Sequence, residues 1–380
     1  MAASDRRGLV LVLFLFLLAP LLLLVSGCGK PAEPLPLIRL GHAPHDHHAA
    51  LYIAASLPDH FRANGGVWLK EVTPKAEYLL LEGEKPLARL QVSSEKGGIK
   101  LIRKLDEDLL DLSYGGVPAM LSLIDQGSGL RILLPTMGEG AGLVVHPAMT
   151  ADDWPSFVAY VQSRTAPVKI GYKIGTSVQN IIFEAALREA EVPYSRDREE
   201  PGARVVLVNL HGTENLIPAL EAGVIEGFVV NQPLVAIAVS RGAGKLLANL
   251  RDLPPAGRWA GIPCCAIAGN EAFVAKHPHE VGKLLDLLMR ANDHITAHPQ
   301  QSAEVIAAWL GVKPAVERLS IPTIRYSNAF SAEWRQGMGY WVETMIAEKE
   351  LSGMVKTAWE EGCLDDLIYS NATRELRQRK

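Results

Sequence analysis

Apolar residues are distributed along this chain in three ways. From Leu9 to Val25 they form a nearly continuous run behind Arg6 and Arg7. From residue 37 to about 270 they come in short bursts of strand length, at 37–41, 67–72, 79–81, 129–134, 168–172, 205–210 and 227–230. Gly, Pro and polar residues bound these bursts, which predicts strands. Helical spacing fills the gaps. Asp46 is placed to cap a helix over 47–56, residues 95–98 read as a turn, and 215–222 reads as a helix. After Lys173-Ile174-Gly175-Thr176-Ser177, a helix to about residue 190 carries Val178, Ile181, Ile182 and Ala185 on one face. Beyond about 271 the three-to-four spacing dominates. Val281, Leu284, Leu285, Leu288 and Ile295 share one stripe, and Val305, Ile306, Trp309 and Leu310 a second, with Gly311 as a stop. Trp334, Met338, Trp341 and Met345 repeat the spacing as a core stripe. Alternating strands and helices predict α/β lobes with largely parallel sheets, followed by a helical C-terminal region.

The first apolar run is read differently from the rest. It spans about 17 residues and contains Pro20, short of the roughly 20 a spanning helix needs. A basic start, an apolar stretch and small residues at its end make residues 1–27 an export leader rather than part of the fold. Val25-Ser26-Gly27-Cys28 resembles the bacterial lipobox, in which the leader is cut before the cysteine and the new N-terminal thiol is lipidated. Cys28 is therefore expected to hold the chain to a membrane, with the Pro-rich residues 28–36 as an extended tether. Gly29 after the cysteine resembles the outer-membrane sorting of a Gram-negative lipoprotein.

The 380-residue length suits two lobes. The formal net charge of −4 is mildly acidic and excludes nucleic acid as an expected partner. Besides Cys28 there are Cys264, Cys265 and Cys363, an odd number without a disulfide framework. Neighbouring Cys264 and Cys265 bridge each other only with a strained peptide. Residues on a regular strand alternate in direction, so one of the two is expected to face a cleft unless a bulge or turn intervenes.

Five stretches carry a resemblance. They are Ile38-Arg39-Leu40-Gly41-His42-Ala43-Pro44-His45-Asp46-His47-His48-Ala49-Ala50-Leu51; residues 97–118, ending Ser113-Tyr114-Gly115-Gly116-Val117-Pro118; residues 171–187; residues 220–233, ending Asn231-Gln232-Pro233; and Ile262-Pro263-Cys264-Cys265. In this order the chain resembles the extracytoplasmic solute-binding proteins of ATP-binding-cassette importers. The likeness is to the group that binds nitrate, sulfonates, taurine and thiamine pyrimidines. Many relatives carry Glu-Pro where this chain has Gln232-Pro233, and the His-Asp-His-His cluster is not general among them. The resemblance implies a two-lobe periplasmic binding protein type II fold with the ligand cleft between lobes. It implies lobe I at 37–140 and 235–380 and lobe II at 141–234, with a small solute and permease subunits as partners and a monomeric chain outside the cytoplasm.

In open α/β sheets, ligands sit beyond the carboxyl ends of strands, where Gly-rich turns let backbone approach. Residues 41–46, 115–118 and 175–177 are such turns, and the last opens a helix whose N–H groups suit an anionic or polar group. Thr176 or Ser177 is the expected N-cap. The expected ligand-binding set is His42, His45, Asp46, His47, Gly116, Thr176, Ser177, Asn231, Gln232 and Cys264.

Imidazoles hydrogen-bond a solute or ligate a transition metal, and a thiolate favours the softer metals, so His45, His47 and Cys264 are also a candidate metal set. No cofactor is required for capture. No nucleophile elbow, phosphate loop or paired-carboxylate motif is present, so no enzyme is expected. The alternative is a metal-dependent enzyme or metal-binding protein. Thiamine-pyrimidine synthases resemble this fold and use histidine, cysteines and iron, but they are intracellular.

Overall fold

A computed structural model describes residues 34–371 and residue 373, so the leader and Cys28 lie outside the described residues. The strands are β1 Leu37–His42, β2 Val67–Thr73, β3 Glu77–Glu82, β4 Lys85–Ser94, β5 Leu112–Gly116, β6 Leu130–Glu139, β7 Ala141–Val145, β8 Val168–Tyr172, β9 Tyr194–Ser195, β10 Val205–Asn209, β11 Gly227–Asn231, β12 Lys245–Asn249, β13 Pro263–Asn270 and β14 Ile324–Tyr326. They form an eight-stranded sheet in the order β14-β6-β13-β5-β1-β4-β3-β2 and a six-stranded sheet in the order β12-β7-β11-β8-β10-β9. Both sheets belong to one compact unit that begins at Pro36.

Parallel pairing is narrower than the alternation predicts. In the first sheet only β4-β1-β5 pair in parallel. β2, β3 and β4 form an antiparallel meander, because a turn as short as Gly83-Glu84 returns the chain beside itself, with Gly83 at φ +58°. β4 is absent from the pattern-based reading, although Leu87, Leu90 and Val92 are buried while Arg89 and Gln91 face water. In the second sheet β9, β10, β8 and β11 are parallel, and β7 runs antiparallel between β11 and β12. Since β12 pairs with β7, the second sheet runs on to Asn249, past the 141–234 limit expected for it.

The C-terminal helices follow their predicted stripes. Helix Pro278–Ala297 buries Val281, Leu284, Leu285, Leu288 and Ile295, and packs on helix Ala49–Ser56 behind the first sheet. Gly311 ends helix Pro299–Leu310 in the left-handed region at φ +72°. In helix Ala332–Ala347, Trp334, Met338, Trp341 and Met345 are all buried core. This helix also fixes the start of β13: Trp341 Nε1 donates to Pro263 O at 2.7 Å, and Gly337 lies so close that an added Cβ would stand 2.3 Å from Pro263 Cδ. Gly337→Ala is expected to destabilise the chain by about 1–3 kcal/mol through overpacking. Urea unfolding reads this, and an unchanged midpoint would contradict the close packing. Among the described residues no helix is long and apolar enough to cross a membrane.

Candidate functional site

Strand β1 ends at His42, and residues 43–48 turn back over the sheet edge before helix Ala49–Ser56 begins. The turn is held from within. Tyr52 Oη donates to Ala43 O at 2.8 Å, and Ala43 N donates to His48 Nδ1 at 2.8 Å. The second bond makes His48 Nδ1 an acceptor, so its proton is on Nε2, which is buried without a partner. His48 stacks on Tyr114 at 4.7 Å. The His47 ring is buried and reaches Gly140 O through Nε2 at 3.0 Å. A carbonyl only accepts, so the proton is on Nε2 and the Nδ1 lone pair is free. That lone pair faces Cys264 Sγ at 3.5 Å and Cys265 Sγ at 3.8 Å.

Both thiols face the same side because β13 is irregular there. Its register against β6 shifts between Pro263 and Cys265 and again between Cys265 and Ala266. The sulfurs lie 4.0 Å apart and are unbridged. A hydrogen bond from Cys265 holds the Cys264 thiol well below its ordinary range, with His47 and Lys173 adding to this against the cost of burial. Cys265, the donor of that bond, is pushed well above it.

The second sheet contributes the loop after β8 and the end of β11. Lys173 Nζ donates to Asn231 Oδ1 at 2.6 Å. Burial lowers the Lys173 ammonium, and the neighbouring thiols partly restore it. Ser177 Oγ accepts from Asn180 N at 3.3 Å and so is the N-cap of helix Val178–Glu189, resolving the choice between it and Thr176. His45 and His48 are held well below the usual imidazole range, chiefly by burial, and stay neutral.

These groups surround two adjoining cavities. A small chamber of about 40 Å³ is lined by His45, His47, His48, Gly116, Lys173, Thr176, Ser177, Asn231, Cys264 and Cys265. A larger cavity of about 250 Å³ shares His45, Lys173 and Asn231 with it and reaches Lys96, Glu214 and Gln232. Gln232 borders only the larger one, where Oε1 accepts from Ala236 N at 3.0 Å and Nε2 donates to Thr323 Oγ1 at 3.2 Å.

Two expected site residues lie elsewhere. His42 borders neither cavity. Its Nδ1 meets Tyr52 Oη at 3.3 Å, its ring packs edge-on to Tyr52 and Trp309, and burial lowers its pKa to about 4. The cause is strand alternation, which sends His42 into the helical layer. Asp46 does not cap the helix: it begins a short 3-10 turn, Asp46–His48, and is buried against Ser320 and Glu317. Burial raises both carboxyls, and the nearby Asp46 raises Glu317 further. Among the described residues no backbone N–H reaches the Glu317 oxygens, and with burial and the adjacent Asp46 raising its pKa to about 9, Glu317 holds its own proton.

An acid raised in the folded state contributes stability that is complete below its unfolded pKa and is lost as pH rises through the folded value. Glu317→Gln, neutral throughout, is expected to lose less melting temperature than the natural chain between pH 5 and pH 8. Equal losses would contradict a protonated Glu317.

Four residues at the site escaped the sequence reading. His48 and Lys173 had readable signals, since each sits in a loop already singled out. Cys265 joins Cys264 at the site through the bulge that is the exception to strand alternation. Gly140 lies between β6 and β7 at φ +63°, and its carbonyl accepts from both His47 Nε2 and Gln232 N, the latter at 2.9 Å.

The chain belongs to the NMT1-like family, whose sequence profile matches residues 32–311. It is 31% identical over 120 residues to an uncharacterized protein of Methanocaldococcus jannaschii, covering 31% of this chain and 83% of that protein. Among solved structures it is similar to a zinc-bound ligand-binding component of an ABC-type import system from Staphylococcus aureus. The TM-score is 0.68 at 14% identity, over 91% of this chain and 100% of that one. A periplasmic nitrate-binding protein from Synechocystis PCC 6803 matches with TM-score 0.63 at 15% identity, over 92% and 90%. An alkanesulfonate-binding protein from Xanthomonas axonopodis pv. citri, bound to MOPS, matches with 0.60 at 16%, over 86% and 99%. The fold is that of the periplasmic binding proteins.

Proposed function

We propose that this chain is the solute-binding component of an ATP-binding-cassette importer, held outside the cytoplasm by lipid on Cys28. It captures one small polar or anionic solute between its two sheets and hands it to membrane permease subunits. The observation that carries this reading is the convergence of loop ends from both sheets on the two adjoining cavities. Residues 43–48 and 264–265 come from the first sheet, and 173–177 and 231–232 from the second. Lys173 supplies positive charge, and the start of helix Val178–Glu189 supplies N–H groups, so the lining favours an anion.

Hinge closure fits the connectivity. The chain passes between the sheets at Gly140 and again between β12 and β13. Glu139 ties the two passages together, pairing with Arg251 at 2.6 Å and accepting from Gly261 N at 3.1 Å. A few residues at such crossings can absorb the rotation of one lobe on the other. Capture needs no cofactor, no catalytic step and no second copy of the chain.

Calorimetric titration with nitrate, taurine and an aliphatic sulfonate tests the reading. One saturable 1:1 isotherm among these anions is expected. No heat from any of them would contradict anion capture.

A further inference from the structure

The triangle formed by His47 Nδ1, Cys264 Sγ and Cys265 Sγ has a geometry that hydrogen bonding alone does not require. Its edges measure 3.5, 3.8 and 4.0 Å, and its three residues are at most 6% exposed. An ion held tetrahedrally at about 2.3 Å from sulfur and 2.0–2.1 Å from nitrogen needs donor atoms about 3.5–3.8 Å apart. The observed triangle is close to one face of such a tetrahedron, and these are the only three such residues so grouped among the described residues. We infer that His47, Cys264 and Cys265 bind a single thiophilic closed-shell cation, zinc(II) or copper(I), at the base of the cleft.

Three further observations support the site. The bond from His47 Nε2 to Gly140 O fixes the ring so that Nδ1 is the free donor, as carbonyl partners do for metal-bound imidazoles. The double register shift in β13 turns both sulfurs to one side, against the alternation a regular strand imposes. His45 Nδ1 is buried beside the chamber without a partner. The chamber, at about 40 Å³, has room for an ion with a water or two. Two thiolates and an imidazole select soft or borderline cations over magnesium or calcium. Three protein donors leave a fourth position facing the chamber, the arrangement of an exchangeable rather than a closed structural site. His45, water or a donor atom of the solute fills that position.

The inference rests on the cleft reading for its role in capture, but its test does not. Full-length chain, reduced and desalted without oxygen, is titrated with cobalt(II) as an optical probe. One equivalent with thiolate-to-cobalt charge-transfer absorption is expected. Zinc(II) displacing the cobalt identifies the divalent ion, and preferential retention of copper(I) against a chromophoric chelator identifies the other. Cys264→Ser, Cys265→Ser and His47→Gln should each lower cobalt affinity about 100-fold or more, since a ligand is worth more than the 10–100-fold of a supporting residue. Cys363→Ser, at an exposed thiol, should leave the titration unchanged. Circular dichroism checks that each variant is folded. Absence of stoichiometric charge-transfer absorption, or its survival in the Cys264→Ser/Cys265→Ser double variant, would overturn the site. Anion capture persisting in metal-free chain would leave the importer reading standing when the metal site fails. A metal site without anion capture would overturn that reading alone.

Discussion

Lys173→Met is expected to weaken capture of an anionic solute by about 10- to 100-fold, a hydrogen bond to a charged group being worth about 1.5–3 kcal/mol. Lys173 borders both cavities and lies close enough to Cys264 and Cys265 for the thiols to offset part of the lowering that burial imposes on it. Its ammonium is already partly desolvated, so a solute anion meets it with less water to displace than at the surface. Methionine keeps the length of the stem and removes the charge. The Asn231 amide oxygen loses its donor in the variant and turns to water or solute. The melting temperature should not fall, because a burdened charge is removed with the bond. Calorimetry against the anion that binds the natural chain provides the check. Natural affinity in the variant would mean that the cleft recognises its solute without this charge.

The largest structural effect is expected from Gly140→Ala, at about 2–5 kcal/mol of lost stability. Left-handed backbone costs an L residue about 1–2 kcal/mol, and overpacking adds about 1–3 kcal/mol. Gly140 has φ +63°, and an added Cβ would lie 2.5 Å from Ile324 Cγ1 and 3.0 Å from His47 Nε2. The displaced carbonyl would release both its donors, His47 from the first sheet's loop and Gln232 from the end of β11. The variant should therefore unfold at lower urea and expose Cys264 and Cys265 to faster thiol labelling. Gly282→Ala is the control, since nothing lies within 4 Å of its added Cβ and it sits inside helix Pro278–Ala297. It should gain rather than lose stability, by about 0.5–1 kcal/mol. Equal behaviour of the two variants would contradict the strained role of Gly140.

The strands and C-terminal helices were legible because their periods survive into the fold. β8, β10 and β11 are short Val- and Ile-rich runs between turn residues, and Val281 to Ile295 keep one buried face. What was lost depended on partners distant in sequence. Asp46 looks like a helix cap from its neighbours alone, yet Ser320 and Glu317 claim its side chain. His42 is the last residue of β1 while His47 lies in the 3-10 turn that follows, a difference concealed by the cluster's density. β12 was given to the wrong sheet because its pairing with β7 lies a hundred residues back along the chain. The bulge that brings Cys265 beside Cys264 is set by β6 and by Trp341, and no local residue announces it.

Native mass spectrometry of full-length chain taken from its own cell envelope tests solute capture most directly. The account predicts the lipidated chain with one noncovalent anionic solute, released on unfolding and retained at lower occupancy by Lys173→Met. A chain that carries no solute, and takes up none from nitrate, taurine or sulfonate solutions, would contradict it.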